Sequence, residues 1–495
     1  MTEGFLESRR TLWIVGAVAI VLFVVTNLPW QLDDYDQAKQ AYTSFEMVKE
    51  GQWLYQKTPH ERVATKPPLV GWISAGFFAV TRSWDLAWRL PSLLAVIAMS
   101  ILLFRAANSV YGFIPGLIAL SAFGLNLLTP RLATLVRTDM VLALVIFLIG
   151  LQIWNHIREQ RDWDTRDRLL LFLLLTGAML IKGPIVYAFI FPGLLIFVWT
   201  RRKIPTTACR CGWWPWIASL SIFLVWLGVG ILIQHGFFHR VIMREFVSEA
   251  VLSASLRKIG EPVHRAQPMF FYISHLLHKF GPWSLLMIGL SIVDLRSRKW
   301  KLREAVRQMA PETLWLVCWS LGGLIVMSLV PAKRVDRIFP VIPPLCLLLA
   351  AQIGSDWGNE KARQRVSLWS AIALAMSILF TSGYTFSKVI TGYRDHRDAL
   401  VVFGREVRRE VKKRNWRYEV VFSSDEGLLL YLRKPHFIMP SRATTEWNRG
   451  NLDALVVPAK DAPGMMRQLR DAAISELKST PRKDEQGFGY VLITR

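Results

Sequence analysis

Apolar segments separated by short polar connections fill the first 385 residues of the chain. Most of them approach the roughly 20 residues that an α-helix needs to cross the hydrocarbon core of a bilayer. They lie at about residues 12–30, 67–81, 88–105, 111–136, 139–155, 168–181, 184–200, 214–233, 281–294, 313–330, 337–353 and 366–385. This pattern predicts an α-helical polytopic membrane protein.

Basic residues predict how these segments are oriented. They concentrate in four connections, at residues 158–168, 201–203, 296–303 and 361–365, and two apolar segments separate each connection from the next. Because Lys and Arg are enriched in cytoplasmic loops, we expect all four to face the cytoplasm. The alternate connections, including residues 234–280 and everything after about residue 386, then face outward.

The number of crossings must agree with this orientation. A cytoplasmic N-terminus places residues 31–66 outside, but counting residues 111–136 as one span puts Asp139 inside. Gly124, Asn126 and Pro130 interrupt that stretch, and Gly and Pro commonly end helices. We therefore predict two short helices there, and about 13 transmembrane helices in total.

The pattern changes after about residue 389. A charged amphipathic helix over Asp395 to Arg414 is followed by strands at Tyr418 to Ser423 and Leu455 to Val457, a helix over Pro463 to Leu477 and a last strand at Tyr490 to Thr494. Such alternation predicts a small extracytoplasmic α/β domain over residues 389–495, after a transmembrane domain over residues 1–388.

Composition narrows the function classes. The formal charge is +23 and 52% of the residues are hydrophobic. Because the basic residues cluster between apolar segments, topology and contact with anionic lipids explain the charge better than nucleic-acid binding. The sequence has no GxxxxGK[ST], GxGxxG, HExxH or CxxC motif, which argues against an ATP-driven transporter.

Acidic and basic residues flank the first predicted outer connection. Asp33, Asp34 and Asp36 follow the first span, and Lys66 precedes the Pro67-Pro68 pair at the next one. The carboxylates fit either a helix N-terminus or chemistry on a lipid-linked anion, and the lysine fits either a membrane anchor or a phosphate ligand.

Further charges lie at predicted outer span ends. Asp139 opens one span, and Lys182 interrupts the apolar stretch before Gly183-Pro184. Ionisable residues within membrane segments are functional candidates because isolated charges are costly there. The outer segment 234–280 adds Arg257, His264 and Tyr272, a composition that suits a headgroup or a sugar but also an interfacial aromatic belt.

These motifs occur in an order that resembles a known family. The order is Asp36-Gln37-Ala38-Lys39-Gln40-Ala41, Gly51-Gln52-Trp53, Thr65-Lys66-Pro67-Pro68-Leu69, Trp88-Arg89-Leu90-Pro91-Ser92, Arg137-Thr138-Asp139, Lys182-Gly183-Pro184, His264 to Tyr272, Pro282-Trp283 and Lys333 to Pro344. Over about residues 10–385 the chain resembles the integral-membrane GT-C glycosyltransferases of the protein O-mannosyltransferase and lipid A 4-amino-4-deoxy-L-arabinose transferase (ArnT-like) type. The resemblance implies a GT-C fold, with outer loops 31–66 and 234–280 capping an active site on the outer face.

The resemblance also implies roles for particular residues. It implies Asp36 as the catalytic carboxylate and Asp139 as an orienting acid. The phosphate of a polyprenyl-phosphate sugar donor, of the undecaprenyl-phosphate type, would be contacted by Lys66, Lys182, Arg257 and Lys333. Further candidate substrate contacts are Asp33, Asp34, His264, Tyr272 and Arg337. The chain departs from the family pattern at Gln37, where a second acid is usual, and at Arg337, where a Tyr is usual.

The implied reaction is an inverting sugar transfer at the outer face of a bacterial inner membrane. The acceptor is lipid A, a protein or another envelope glycan, and the sequence does not choose among them. No cofactor follows from the motifs, and the use of a divalent metal is left open. The alternatives are a transporter or flippase of a lipid-linked anion, which calls for charges at mid-membrane and inverted repeats, and a structural membrane protein, which leaves Asp139 and Lys182 unexplained.

Overall fold

The structure, a computed structural model, describes residues 4, 6–32, 35–60, 62–200, 211–239, 241, 267–355, 357, 360–423, 425–475, 477 and 489–495. Four residues singled out in the sequence, Asp33, Asp34, Arg257 and His264, lie outside these ranges. The predicted roles of these four residues therefore stay predictions.

Helices make up most of the described chain. The first eleven are α1 Arg9–Val25, α2 Tyr35–Glu50, α3 Leu69–Thr81, α4 Trp84–Ala87, α5 Leu90–Tyr111, α6 Phe113–Gly124, α7 Thr129–Leu132, α8 Asp139–Glu159, α9 Thr165–Lys182, α10 Ile185–Thr200 and α11 Trp214–Ile233. Next come α12 Phe271–Lys279, α13 Trp283–Ser297, α14 Leu302–Gln308, α15 Pro311–Leu329, the 3-10 helix Val335–Val341, α16 Ile342–Ile353 and α17 Glu360–Arg394. The last are α18 Ala399–Arg414, α19 Glu426–Leu432, α20 Pro440–Asn448 and α21 Ala462–Met466.

Several of these helices are suited to a bilayer. Among the described residues, six are long and apolar enough to cross it, namely α5, α8, α11, α15, the 3-10 helix together with α16, and α17. Helices α12 and α13, bent by 103°, would make a seventh if they form one span. Large apolar side chains such as Trp13, Leu232 and Leu379 are 77%, 85% and 71% exposed, which lipid accommodates and water does not. The chain is a multi-pass membrane protein.

The predicted break in residues 111–136 occurs, and two short helices of 12 and 4 residues flank it. Helix α6 ends at Gly124, and the buried Asn126 closes the following turn. Its side-chain oxygen accepts hydrogen bonds from the Leu128 and Thr129 amides at 2.8 and 2.9 Å. Only the four-residue helix α7 follows before α8. The stretch therefore supplies a 12-residue apolar helix and a single further turn.

Helix α3, predicted as a crossing, packs on the segment of Asp36 at its start and on the cluster of the C-terminal segment at its end. Lys66, just before its start, lies close enough to Asp36 of α2 to act on it electrostatically. Near its end, Phe78 stacks on Trp84 with 3.9 Å between ring centroids, and Trp84 shares a hydrophobic cluster with Leu400. Its 13 residues span only about 20 Å. This helix is shorter than the roughly 20 residues of a full crossing and packs on protein at both ends, so the predicted crossing at 67–81 stays a prediction.

A four-stranded sheet forms the centre of the C-terminal segment, which comprises residues 399–495. The strands are β1 Tyr418–Val420, β2 Ala454–Pro458, β3 Ala473–Ser475 and β4 Tyr490–Thr494, in the order β1-β2-β4-β3. Strands β1 and β2 are parallel, whereas β4 runs antiparallel to β2 and β3. Strand β3 lies where the sequence predicted the end of a helix, and α21 stops at Met466.

The sheet is buried on both faces. Ala454 and Val456 of β2 pack with α18 and α19, whereas Leu455 and Val457 pack with α20 and α21. Successive side chains of a strand point to opposite faces, so one strand contributes to two cores.

The first of these cores extends into the outer loop that carries Asp36. Tyr42 and Phe45 of α2 share it with Leu400 and Phe403 of α18. The Leu32 amide donates a hydrogen bond to the Tyr431 hydroxyl of α19 at 2.6 Å. The C-terminal segment therefore packs directly on the segment that positions the candidate site.

Candidate active site

Asp36 lies in the first turn of α2 and is paired with a cation from a distant part of the chain. Its carboxylate accepts a hydrogen bond from the guanidinium of Arg334, in the turn between α15 and the 3-10 helix. Burial raises the pKa of Asp36, but Arg334, together with Arg137 and Lys66, outweighs burial and leaves the pKa below its usual value. Asp36 is therefore ionised at neutral pH. Its side chain is 45% exposed.

A second pair lies next to the first. Arg137, just before α8, donates to Asp336 at 2.5 Å, and both side chains are less than one tenth exposed. Arg334 also lies 4.0 Å from Asp336, so it faces two carboxylates. The Asp336 carboxylate therefore links the two arginines.

The third pair joins two residues predicted from the sequence. Asp139, at the start of α8, accepts a hydrogen bond from Lys182, at the end of α9, over 2.5 Å. Arg137 and Arg334 also act electrostatically on Asp139. Lys182 therefore neutralises the charge of Asp139 in this structure. It is also one of the cations of the site.

These residues form one group, which we term the outer charged cluster. Its members are Asp36, Lys66, Arg137, Asp139, Lys182, Arg334 and Asp336. Four cations against three carboxylates leave an excess positive charge. Buried and partly buried groups of this kind interact strongly because the surroundings screen them poorly. The cluster is suited to binding an anion beside an ionised carboxylate.

Lys333 and Arg337 hold the turn that carries Arg334. The Lys333 ammonium donates to the backbone oxygen of Gln267 at 3.0 Å, and burial lowers its pKa. Arg337 donates to the Ala332 oxygen at 3.0 Å. The predicted phosphate role of Lys333 and the predicted substrate contact of Arg337 stay predictions; the contacts themselves fix the shape of the turn.

Tyr272, another predicted substrate contact, lies in the hydrophobic core. Its side chain is fully buried in α12, with Phe271 edge-on at 5.3 Å. The structure gives it a packing role and does not bring it into the outer charged cluster.

Metal ligation finds little support in the described ranges. Within them, no three His, Cys, Asp or Glu side chains are grouped closely enough to hold a metal ion.

Arg334 and Asp336 were missed as site residues in the sequence, and Arg137 was noted only as a neighbour of Asp139. A signal for the first two existed, since residues 333–337 carry four charged side chains directly before an apolar span. Charges at such a place need partners. Only the fold shows that the partners come from α2 and the start of α8.

Comparison with known proteins finds similarity to membrane sugar transferases. Residues 65–233 match the family model described as dolichyl-phosphate-mannose-protein mannosyltransferase. The undecaprenyl phosphate-alpha-4-amino-4-deoxy-L-arabinose arabinosyl transferase of Shewanella sediminis is 23% identical over 387 residues, covering 74% of this chain and 66% of that protein. The enzyme of the same name from Aeromonas salmonicida is 25% identical over 414 residues, covering 80% and 71%. The matched region thus spans slightly less than two thirds of the Shewanella relative.

Solved structures show the same fold. ArnT from Cupriavidus metallidurans bound to undecaprenyl phosphate superposes with a TM-score of 0.68 at 16% identity, covering 97% of both chains. The oligosaccharyltransferase of Archaeoglobus fulgidus in the apo form gives a TM-score of 0.53 at 12% identity, covering 93% of this chain and 70% of that one.

The helical membrane fold and the charged cluster beside the first outer helix define a GT-C type integral-membrane protein. More particularly, the chain is similar in fold to ArnT and similar in sequence to the arabinosyl transferases named above. This similarity agrees with the resemblance read from the order of its motifs.

Proposed function

We propose that the protein transfers a sugar from a polyprenyl-phosphate donor, of the undecaprenyl-phosphate type, to an envelope acceptor. The observation that carries this proposal is the pairing of the ionised Asp36 with Arg334, close to Lys66, within a cluster of excess positive charge. The names of the relatives support a 4-amino-4-deoxy-L-arabinose unit as the sugar. We propose lipid A as the acceptor, with protein or another glycan as the alternatives.

In the proposed reaction an acceptor oxygen attacks the anomeric carbon of the donor sugar. The new carbon–oxygen bond forms as the bond to the donor phosphate breaks, and the electron pair leaves with the polyprenyl phosphate. The Asp36 carboxylate takes the acceptor proton or orients the acceptor. Lys66 and Arg334 stabilise the negative charge that develops on the leaving phosphate.

The Asp36–Arg334 pair has a direct role in this scheme. A donor phosphate competes with Asp36 for the guanidinium of Arg334, because both are anions within its reach. Binding of the donor thereby frees the carboxylate for the acceptor. Asp139 and Lys182, paired with each other, hold the ends of α8 and α9 beside the phosphate.

We further propose a revised topology. Eleven helices cross the membrane, namely α1, α5, α6, α8, α9, α10, α11, α13, α15, α16 and α17. This order leaves the four basic connections in the cytoplasm and places the outer charged cluster on the opposite face. Compared with the predicted total of about 13 helices, this topology omits the crossing at α3 and the second crossing after Gly124. Because two crossings are removed, the C-terminus stays on the same side of the membrane.

The remaining proposals concern place and domain boundaries. The protein is located in a bacterial inner membrane with a cytoplasmic N-terminus. Residues 1–388 form the transmembrane domain and residues 389–495 an α/β domain in the periplasm. The sheet and its two cores support a separate C-terminal domain, and α17 continues from the transmembrane domain through residue 388 to Arg394.

The test is sugar transfer by purified protein in liposomes that contain the lipid-linked donor and lipid A. We expect Asp36→Asn to reduce kcat by about 100-fold or more, since general-base catalysis contributes factors of that order. Asp395→Asn, which changes an acid beyond α17, is the matched control and should transfer normally. Normal turnover by a correctly folded Asp36→Asn protein would contradict the catalytic assignment.

A further inference from the structure

Glu426 of the C-terminal segment is a buried carboxyl that the proposed reaction does not use. It is 3% exposed, and its Oε2 atom has no hydrogen-bond partner among the described residues. Its Oε1 atom lies 3.8 Å from the Nε2 atom of His60, in the outer loop. A buried polar atom without a partner is costly, so its retention calls for a reason.

The groups around Glu426 come from three segments. His60 and Arg62 belong to the outer loop before α3, Lys39 belongs to α2, and Asp425 precedes Glu426 on its own segment. Burial raises the pKa of Glu426 to about 7 despite the opposing effect of Lys39 and Arg62, and Asp425 raises it further. Burial, together with Arg62, lowers the pKa of His60. Glu426 therefore changes charge near neutral pH beside a neutral imidazole.

Lys39 connects this carboxyl to the outer charged cluster. Its ammonium donates to the Thr65 hydroxyl at 3.2 Å, and Thr65 directly precedes Lys66. Lys39 also lies one helical turn from Asp36 on α2. When Glu426 is ionised, it competes with Thr65 for this ammonium, because an opposite charge in a buried setting attracts strongly.

Direct contacts join the C-terminal segment to α2 and to the outer loop around His60. His60 stacks on Phe437 with 5.5 Å between ring centroids and packs on Phe422 at 5.1 Å. The Tyr42 hydroxyl of α2 donates to the backbone oxygen of Pro435. These contacts place the Glu426 segment directly against the loop that carries His60.

We propose that Glu426 is a positioning residue through which the C-terminal segment controls donor binding: its charge state decides whether Lys39 holds Thr65 and, with it, Lys66. This inference rests on the proposed function. With Glu426 protonated, Lys39 stays on Thr65 and the donor site is formed. With Glu426 ionised, Lys39 turns toward Glu426 and the Lys66 segment loosens.

The test is the KM for the polyprenyl-phosphate sugar between pH 6 and pH 8, measured on the full chain. In the wild type we expect KM to rise about two- to tenfold with pH, the size of one hydrogen bond. Glu426→Gln, which is neutral at every pH, should keep the low KM throughout. Lys39→Met should show the high KM throughout. Glu419→Gln is the matched control, since Glu419 pairs with Lys434 at 3.0 Å on the same segment and should leave the wild-type profile unchanged.

Comparing variants separates Glu426 from another titrating group. Glu46, seven residues beyond Lys39 on α2, is a second carboxyl whose pKa burial raises to about 7. Glu46 is present in the wild type and in every variant, so its effect on the pH profile of KM is common to all of them. The test is therefore the difference between the KM profiles of Glu426→Gln and wild type. A Glu426→Gln profile that follows the wild type would overturn the proposal.

Thermal unfolding of the solubilised full chain gives a readout that needs no activity. Because the folded protein holds the Glu426 proton up to about pH 7 and the unfolded chain loses it near its ordinary value of 4.5, the contribution of Glu426 to stability falls as pH rises between these values. Glu426→Gln should lose that decline, and Glu419→Gln should keep it. If wild-type protein transfers no sugar, the proposed function fails. Equal declines in wild type and Glu426→Gln overturn the coupling instead.

Discussion

At the residue scale, the candidate site is built from opposite charges that pair with each other. Asp36 with Arg334, Arg137 with Asp336 and Lys182 with Asp139 are three such pairs. Removing one member of a buried pair leaves the other uncompensated and costs about 3–5 kcal/mol. Variants of Lys182 therefore test folding as well as donor binding.

We expect Lys66→Ala to weaken donor binding by about 10- to 100-fold, the worth of one hydrogen bond to a charged group. Lys66 precedes α3 and acts on Asp36 from a partly exposed position. The measurement is the affinity for undecaprenyl phosphate in detergent. Lys57→Ala, which changes an exposed lysine of the same loop, is the control. Equal affinities for the two variants would remove Lys66 from the phosphate site.

At the element scale, close helix contacts set the positions of the site residues. Helices α10 and α15 approach each other through glycines: a Cβ atom added at Gly322 would lie 2.4 Å from the Gly193 amide nitrogen. Small residues at such crossings let two backbones pack in direct contact. Helix α15 leads directly into the turn that carries Lys333 and Arg334, so this contact supports the site.

We expect Gly322→Ala to lower stability by about 1–3 kcal/mol, because the added methyl group meets backbone that cannot rotate away. Gly228→Ala is the matched control on α11, where a Cβ atom has open space. That change should be neutral or stabilise by up to about 1 kcal/mol, since Ala favours helix over Gly. The midpoint of thermal unfolding in detergent measures the stability of both variants. A midpoint for Gly322→Ala at or above that of Gly228→Ala would contradict the close contact between α10 and α15.

At the scale of the whole molecule, α2, α3 and the C-terminal segment form one layer on the side of the outer charged cluster. Trp84 and Trp88, which flank α4, share a core with Phe403 of α18. Apolar composition suggested that α3 enters the membrane, but the same composition suits a helix buried between protein layers.

This arrangement predicts that Arg82, at the end of α3, faces outward. In a chain with its native cysteines replaced by alanine, Arg82→Cys should react with a membrane-impermeant maleimide added to intact spheroplasts. Arg365→Cys, in a basic connection, should react only after the membrane is opened. Protection of Arg82→Cys in intact spheroplasts would restore the crossing at α3 and contradict the eleven-helix topology. A reporter fused after residue 390 should likewise read as periplasmic.

The sequence by itself determined the membrane class, and it predicted the cytoplasmic side of the basic loops and the roles of Asp36, Asp139 and Lys182. Apolar length and charge asymmetry are local properties, and they act on each segment separately. The break at Gly124 and the last strand Tyr490–Thr494 were predicted for the same reason.

Only the tertiary structure decided which charges meet. Arg334 is 298 residues from Asp36 in the chain, and Asp336 is 199 residues from Arg137. No local pattern specifies such a pairing, because it depends on how the helix ends converge. The same holds for α3, whose place was decided by contacts with Trp84 and α2, and for Glu426, whose carboxyl meets His60 only because the C-terminal segment folds back onto the first outer loop.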